Sequence, residues 1–210
     1  MGASDRTLYQ GHTVDRLTLQ IITTANRMLR LGIYGAETGD VTMMQGSWNK
    51  GVGASAGTHD KGAVFDLTPY NWQNRVKVLR LLGVAYWDRP AIKGVWPHHG
   101  HGVVSGMGDA AWLAQQQVVA YDNGRNGLAN NGRDQDWRPR VLPLAVYNGN
   151  TGVKTASVNT QGRTQPTYLT TVTRKVPKGT HVDVLMELNV AGKRWSVTDR
   201  GDFVPSWKLA

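Results

Sequence analysis

Apolar residues recur at helical spacing across residues 13–31, with Leu17, Ile21, Ile22, Ala25, Met28 and Leu29 on one stripe. Thr13 is the expected N-cap and Gly32 the stop, so the pattern predicts a long amphipathic helix. Residues 41–45 and 62–67 are short apolar runs that read as strands, the second ending on Asp66, with a Gly- and Ser-rich loop between them. A second helix fits residues 71–82 on Trp72, Val76, Leu79 and Leu82, with Gly83 behind it. Residues 84–87 and 100–104 read as further strands around a Pro- and Gly-broken loop. A third helix fits residues 109–121, capped by Asp109 and carrying Trp112, Val118 and Val119 on its apolar side.

The pattern then changes. Residues 122–143 are rich in Gly and Asn with little apolar periodicity, which reads as a linker or extended arm. Beyond them, short β-branched segments at 153–158, 168–173, 181–188, 195–198 and 202–204 are separated by turn signals such as Pro177-Lys178-Gly179 and Ala191-Gly192-Lys193. Five such strands predict a small all-β barrel. The expected fold is therefore α+β: a small antiparallel sheet with helices over residues 1–124, a linker at 125–145 and a small barrel at 146–210.

Composition narrows the chemistry. The chain of 210 residues has no Cys, which excludes disulfide scaffolds, Cys-containing zinc modules, iron–sulfur clusters and thiol catalysis. Any metal must be held by His and carboxylates. The net charge of +9 implies an anionic partner: nucleic acid, an anionic membrane surface or an acidic wall polymer. Residues 141–210 carry +5 of it on a third of the chain. No run approaches the ~18 apolar residues of a membrane span, and residues 1–11 lack the apolar core of a leader, so synthesis in the cytoplasm without a signal peptide is expected.

Four of the six His lie between His59 and His101. A loop carrying His59, with Gly62 allowing close backbone approach, leads into the strand that ends at Asp66. On a later strand His99 and His101 project to the same face, because side chains alternate with period two. His59, Asp66 and one His of that pair would give two imidazoles and a carboxylate, a set that suits catalytic zinc with its fourth position open. Such a zinc brings the pKa of a bound water to ~7 and polarises a carbonyl, a route to amide hydrolysis.

The stretch Ser55-Ala56-Gly57-Thr58-His59-Asp60-Lys61-Gly62-Ala63-Val64-Phe65-Asp66 resembles the first zinc motif, S-x-H-x-x-G-x-A-x-D, of the D-alanyl-D-alanine carboxypeptidase and L-alanyl-D-glutamate peptidase group, which shares a zinc fold with Hedgehog-like proteins. Trp96-Pro97-His98-His99-Gly100-His101 is similar to its later E-x-x-H or H-x-H motif. The resemblance implies that His59, Asp66 and His101 are the zinc ligands and that His99 stands beside the metal, contacting an oxyanion or substrate. It puts His98 where E-x-x-H enzymes keep the carboxylate general base, a role imidazole also fills. The family Ser is Gly57 here, with Thr58 as a possible substitute. Gln45, Asn49, Thr58 and Trp96 are candidate substrate contacts, and Trp48 flanks the same loops. Trp72, Trp87 and Trp112 are expected in the core.

The segments Lys175–Val184, Lys193–Val197, Asp202–Val204 and Trp207–Leu209 resemble a bacterial SH3-type repeat, in which Trp195 fills the barrel while Tyr168 and Trp207 face a ligand. Together the resemblances imply a phage endolysin: a zinc peptidase acting on peptidoglycan, with a domain for peptidoglycan and anionic wall polymers, no stable membrane insertion, no nucleic-acid partner and a monomeric state. Two other readings stay open. One is a non-catalytic wall-binding or structural virion protein that keeps the metal site. The other is a basic nucleic-acid-binding protein, motivated by charge alone, because no recognition helix or RNP-like strand is present.

Overall fold

The computed structural model of the chain describes residues 5–32, 34–35, 39–146 and 151–210. The expected domain ranges also take in residues 1–4, 33, 36–38 and 147–150, which lie outside the described residues. The described residues form a mixed α+β structure with three α-helices and antiparallel sheets. None of these helices is long and apolar enough to cross a membrane.

The chain opens with a hairpin that the apolar pattern does not announce, β1 (Arg6–Tyr9) and β2 (His12–Asp15). Its two-residue turn, Gln10-Gly11, takes positive φ at both positions (50° and 82°), as a hairpin turn matching strand twist requires. Thr13 is consequently a strand residue. The first helix, α1 (Arg16–Arg30), is capped by Asp15. Asp15 Oδ1 accepts from the Thr18 amide at 2.7 Å, and Oδ2 accepts from the Thr18 hydroxyl at 2.8 Å. The same Oδ2 accepts the Ala63 amide at 2.9 Å, which ties the helix start to the segment behind His59.

A four-stranded antiparallel sheet carries the chemistry, built from β3 (Met43–Gln45), β4 (Val64–Leu67), β5 (Val84–Arg89) and β6 (His99–Val104) in the order β3-β4-β6-β5. Pairing aligns Gln45 with Asp66, Asp66 with His101, and His101 with Trp87, one row across all four strands. On the opposite face Phe65 and Tyr86 stack at 6.3 Å. They account for the alternating glycines of β6. A Cβ on Gly100 would fall 1.7 Å from Tyr86 Oη, and one on Gly102 would fall 2.7 Å from Phe65 Cζ. The His-Gly-His-Gly run thus has polar side chains on one face and no side chains under the rings on the other.

Helix α2 (Trp72–Leu81) packs on β5 and on α1. Helix α3 (Trp112–Asp122) covers the face of the sheet that carries His101. It starts later than expected, after Ala111 rather than Asp109, with no side-chain cap. Its buried stripe also differs: Ala114 and Tyr121 are buried, while Trp112 is 68% exposed. Trp87 is the expected core tryptophan, and Trp72 is half-buried against the core.

The segment read as a linker is a packed strap. Asp134 is buried and paired with Arg80 at 3.0 Å and Arg138 at 2.9 Å. Arg80, fully buried, also donates to the Trp137 carbonyl at 2.7 Å. Gly and Asn are abundant here because the strap folds on itself through tight turns, for example Asn126 N–H to the Gly132 carbonyl at 2.9 Å. It then delivers β7 (Leu144–Val146) into the second sheet.

That sheet has seven strands: β7, β8 (Gly152–Thr155), β9 (Thr160–Arg163), β10 (Val172–Val176), β11 (His181–Val190), β12 (Lys193–Thr198) and β13 (Phe203–Pro205). The order is β10-β9-β13-β12-β11-β7, with β8 also paired to β11. The polar strand β9 and short β7 escape the apolar pattern, and Tyr168 lies in the turn before β10. Met186, Leu188, Trp195, Val197 and Phe203 belong to the same buried cluster as Ile21 and Leu29 of α1. Gln20 and Arg27 of α1 donate to the carbonyls of Leu185 and Asp199 at 3.1 and 3.0 Å.

The close approach beneath β6 makes a direct prediction. Gly102→Ala destabilises the chain by about 1–3 kcal/mol in urea unfolding, and Phe65→Leu in the same chain recovers part of the loss. A neutral Gly102→Ala would contradict the packing described.

Candidate metal centre

His59, Asp66 and His101 bring one ligand atom each to within 4.8 Å of one another, and all three are buried. His59 comes from a single 3-10 turn (Thr58–Asp60) entered through Gly57 at φ 80°. Asp66 and His101 are cross-strand partners on β4 and β6. His59 Nε2 lies 3.4 Å from Asp66 Oδ2, and His101 Nδ1 lies 2.8 Å from Asp66 Oδ1.

The far side of each ring fixes its tautomer. His59 Nδ1 is 2.8 Å from the Gly46 carbonyl, which only accepts, so Nδ1 carries the hydrogen and Nε2 turns its lone pair toward Asp66. Gln117 Nε2 donates to the Gly127 carbonyl at 3.3 Å, which sets the amide so that Oε1 faces His101 Nε2 at 2.9 Å. His101 Nε2 therefore donates, and Nδ1 turns its lone pair toward Asp66 as well. Two lone pairs and a carboxylate meet at one point. That arrangement calls for a cation, and outward hydrogen bonds of this kind are those that orient metal-ligating imidazoles.

Protons are the competing occupants. Burial acts most strongly on Asp66 and opposes its charge, yet the imidazoles of His101 and His59 beside it hold its carboxyl well below the usual range. Burial pushes the His101 imidazole down from its ordinary value, against the pull of Asp66, so the imidazolium is disfavoured. A divalent metal ion suited to two imidazoles and a carboxylate fits this donor set.

The cluster opens into a cleft of about 830 Å³. Gln45, Thr58, Trp96 and His99, four of the residues singled out from the sequence, line it. Gln45 Nε2 donates to the Ser55 hydroxyl at 3.0 Å, and the Thr58 hydroxyl donates to the Ser55 carbonyl at 2.8 Å. His99 Nδ1 is 2.7 Å from the Pro97 carbonyl and so carries hydrogen, leaving Nε2 as the nitrogen that accepts a proton. Val52, Val95, Leu113 and Leu128 add apolar wall.

Three expectations are corrected. His98 does not line the cleft: its Nε2 sits 2.7 Å from Asp88 Oδ1. The alternation that turns His99 and His101 to one face turns His98 and Asp88 to the other, so His98 is not placed as a base. Asn49 is exposed and outside the cleft, and its backbone amide instead holds the His59 carbonyl at 2.9 Å. Trp48 is likewise outside the cleft, with the Arg6 guanidinium 4.3 Å above its ring. Two residues were missed. Gln117 is a polar side chain between Ala114 and Tyr121 on the helical stripe that faces the sheet, a signal present in the sequence. Arg89 extends β5 two residues beyond its expected end.

In the second sheet Tyr168, Trp195 and Trp207 form an edge-on aromatic cluster, with centroids 5.2, 5.9 and 6.5 Å apart. Trp195 is buried, while Tyr168 and Trp207 are 49% and 46% exposed. Tyr168, Lys175 and Lys208 border a second cavity of about 600 Å³.

A scan against family models, a search of curated proteins and a search of solved structures each return no match to this chain.

The geometry predicts one high-affinity divalent metal ion per chain, read by calorimetry with zinc as the probe. Gln117→Leu lowers zinc affinity by roughly 10–100-fold, whereas His98→Ala leaves it unchanged. Affinity falls on acidification, because protons then compete for the ligand nitrogens, and burial of the His101 imidazole puts its share of that fall below the ordinary imidazole range. Equal affinity for wild type and Gln117→Leu, or binding that does not weaken on acidification, would contradict the assignment.

Proposed function

We propose that the chain is a zinc-dependent peptidase that hydrolyses an amide bond in the stem or cross-link peptide of peptidoglycan. The observation that carries this reading is the convergence of two imidazole lone pairs and a carboxylate on the floor of an open cleft. His59, Asp66 and His101 would hold the zinc, which would supply Lewis acidity toward a carbonyl and lower the pKa of a bound water. The cleft is of the size that holds a short peptide segment. Apolar walls and the amide of Gln45 offer it both packing and hydrogen bonds. His99 takes the role of proton carrier, because its Nδ1–H is committed to Pro97 and Nε2 accepts.

The resemblance of residues 55–66 and 96–101 to wall-peptidase motifs supports the substrate class. So does the second sheet, which we read as an SH3-like wall-binding module. There the half-exposed Tyr168 and Trp207 sit near Lys175 and Lys208, an aromatic and basic surface suited to anionic wall polymers. In this reading the protein works at the bacterial wall as a monomer, without a nucleic-acid partner. One observation favours a second reading, a metal-bearing wall-binding protein without turnover. Among the described residues Asp66 is the one acid lining the cleft, so no carboxylate base accompanies the ligands.

Digestion of purified peptidoglycan followed by mass spectrometry separates the two. Wild type releases fragments cut at one amide bond. His59→Ala and Asp66→Ala lose zinc and fall to background; His99→Ala keeps zinc but loses at least about tenfold in rate. His98→Ala stays within about threefold of wild type. Full activity in Asp66→Ala would overturn the peptidase reading, and zinc binding without any fragment would favour the second.

A further inference from the structure

Arg89 ends β5 beside His99, its cross-strand partner, and lines the same cleft. It is 5% exposed, yet no carboxylate pairs with it among the described residues. Its Nη2 is buried without a hydrogen-bond partner. The guanidinium lies 4.8 Å over the Trp87 ring and beneath Gly127, where a Cβ would stand 3.4 Å from Nη2. Burial pushes Arg89 down to about 10, against the through-space pull of Asp136, Asp66 and Asp134, so it remains a cation at neutral pH.

Arg80 shows what the fold does when a buried arginine is structural. It meets Asp134 at 3.0 Å and donates to the carbonyls of Tyr86 and Trp137 at 2.8 and 2.7 Å. A buried cation without a paired carboxylate is unfavourable, and Arg89 is kept in that condition at the wall of the cleft. We propose that Arg89 is the anchor for a carboxylate group of the peptide that occupies the cleft, a specificity-determining contact beside the metal ligands. A planar monoanion matches one guanidinium fork, and among the described residues no second Lys or Arg lines the cleft to meet a more highly charged group. The proposal rests on the reading of the cleft as a peptide site, and stem peptides of the wall carry free carboxylates.

The test uses the full-length chain in chelator, so that binding is read without turnover. An N-acetylated stem tetrapeptide with free carboxylates and its fully amidated form are titrated and followed by NMR. Wild type binds the free form roughly tenfold tighter or better, and Arg89→Met and Arg89→Gln reduce the preference to about twofold or less. Thermal unfolding of Arg89→Met occurs at the same or a higher temperature, since a buried unpaired charge is removed; a structural arginine would give a fall. Equal binding of the two peptides by wild type, no binding of either, a preference surviving in both variants, or a lowered melting temperature in both overturns the assignment. Retained preference in wild type together with no hydrolysis by the zinc-loaded chain upholds Arg89 as a carboxylate anchor and removes the peptidase reading.

Discussion

A buried carboxylate facing the lone pairs of two neutral imidazoles is unfavourable unless a cation lies between them, and much of this structure serves to hold that arrangement. The Gly46 carbonyl and the Gln117 amide each take a hydrogen from the far side of a ring, and the Gly127 carbonyl fixes the amide in turn. The antiparallel register of β4 and β6 puts Asp66 opposite His101. Asp15, which caps α1 and accepts from Ala63, ties that helix to the segment between His59 and Asp66. A shift of one residue in either strand would turn Asp66 or His101 into the opposite layer, so sheet packing and the ligand set are specified together.

Much of this was legible from residues alone. His59, Gly62 and Asp66 carried the ligand spacing, and period-two alternation put His99 and His101 on one face. The same alternation also excludes His98, but the family spacing pointed the other way. Strand parity is a harder constraint than motif register, because the backbone cannot turn both neighbours to one face without a bulge. The later glycines, Gly100 and Gly102, fall in a predicted strand whose sequence gives them no role. In space they are the room required by Tyr86 and Phe65, which no local pattern reveals.

The strap after α3 shows another limit. Gly- and Asn-rich composition describes a chain that turns often, and both a free linker and a tightly folded strap satisfy it. What decides between them is the pairing of Asp134 with Arg80, residues 54 positions apart, together with Arg138. The same strap carries Gly127 to the Gln117 amide and over Arg89, so a segment that looked like a spacer supplies part of the site. Continuity of the buried cluster from Ile21 to Phe203 likewise joins two sheets that composition and charge divide.

X-ray absorption at the zinc edge tests the central claim most directly, since it counts imidazoles around the metal without reference to activity. The account predicts a four-coordinate nitrogen and oxygen shell at about 2.0–2.1 Å with multiple scattering from two imidazoles, falling to one in His101→Ala. A six-coordinate all-oxygen shell, or an imidazole count unchanged in His101→Ala, would contradict it.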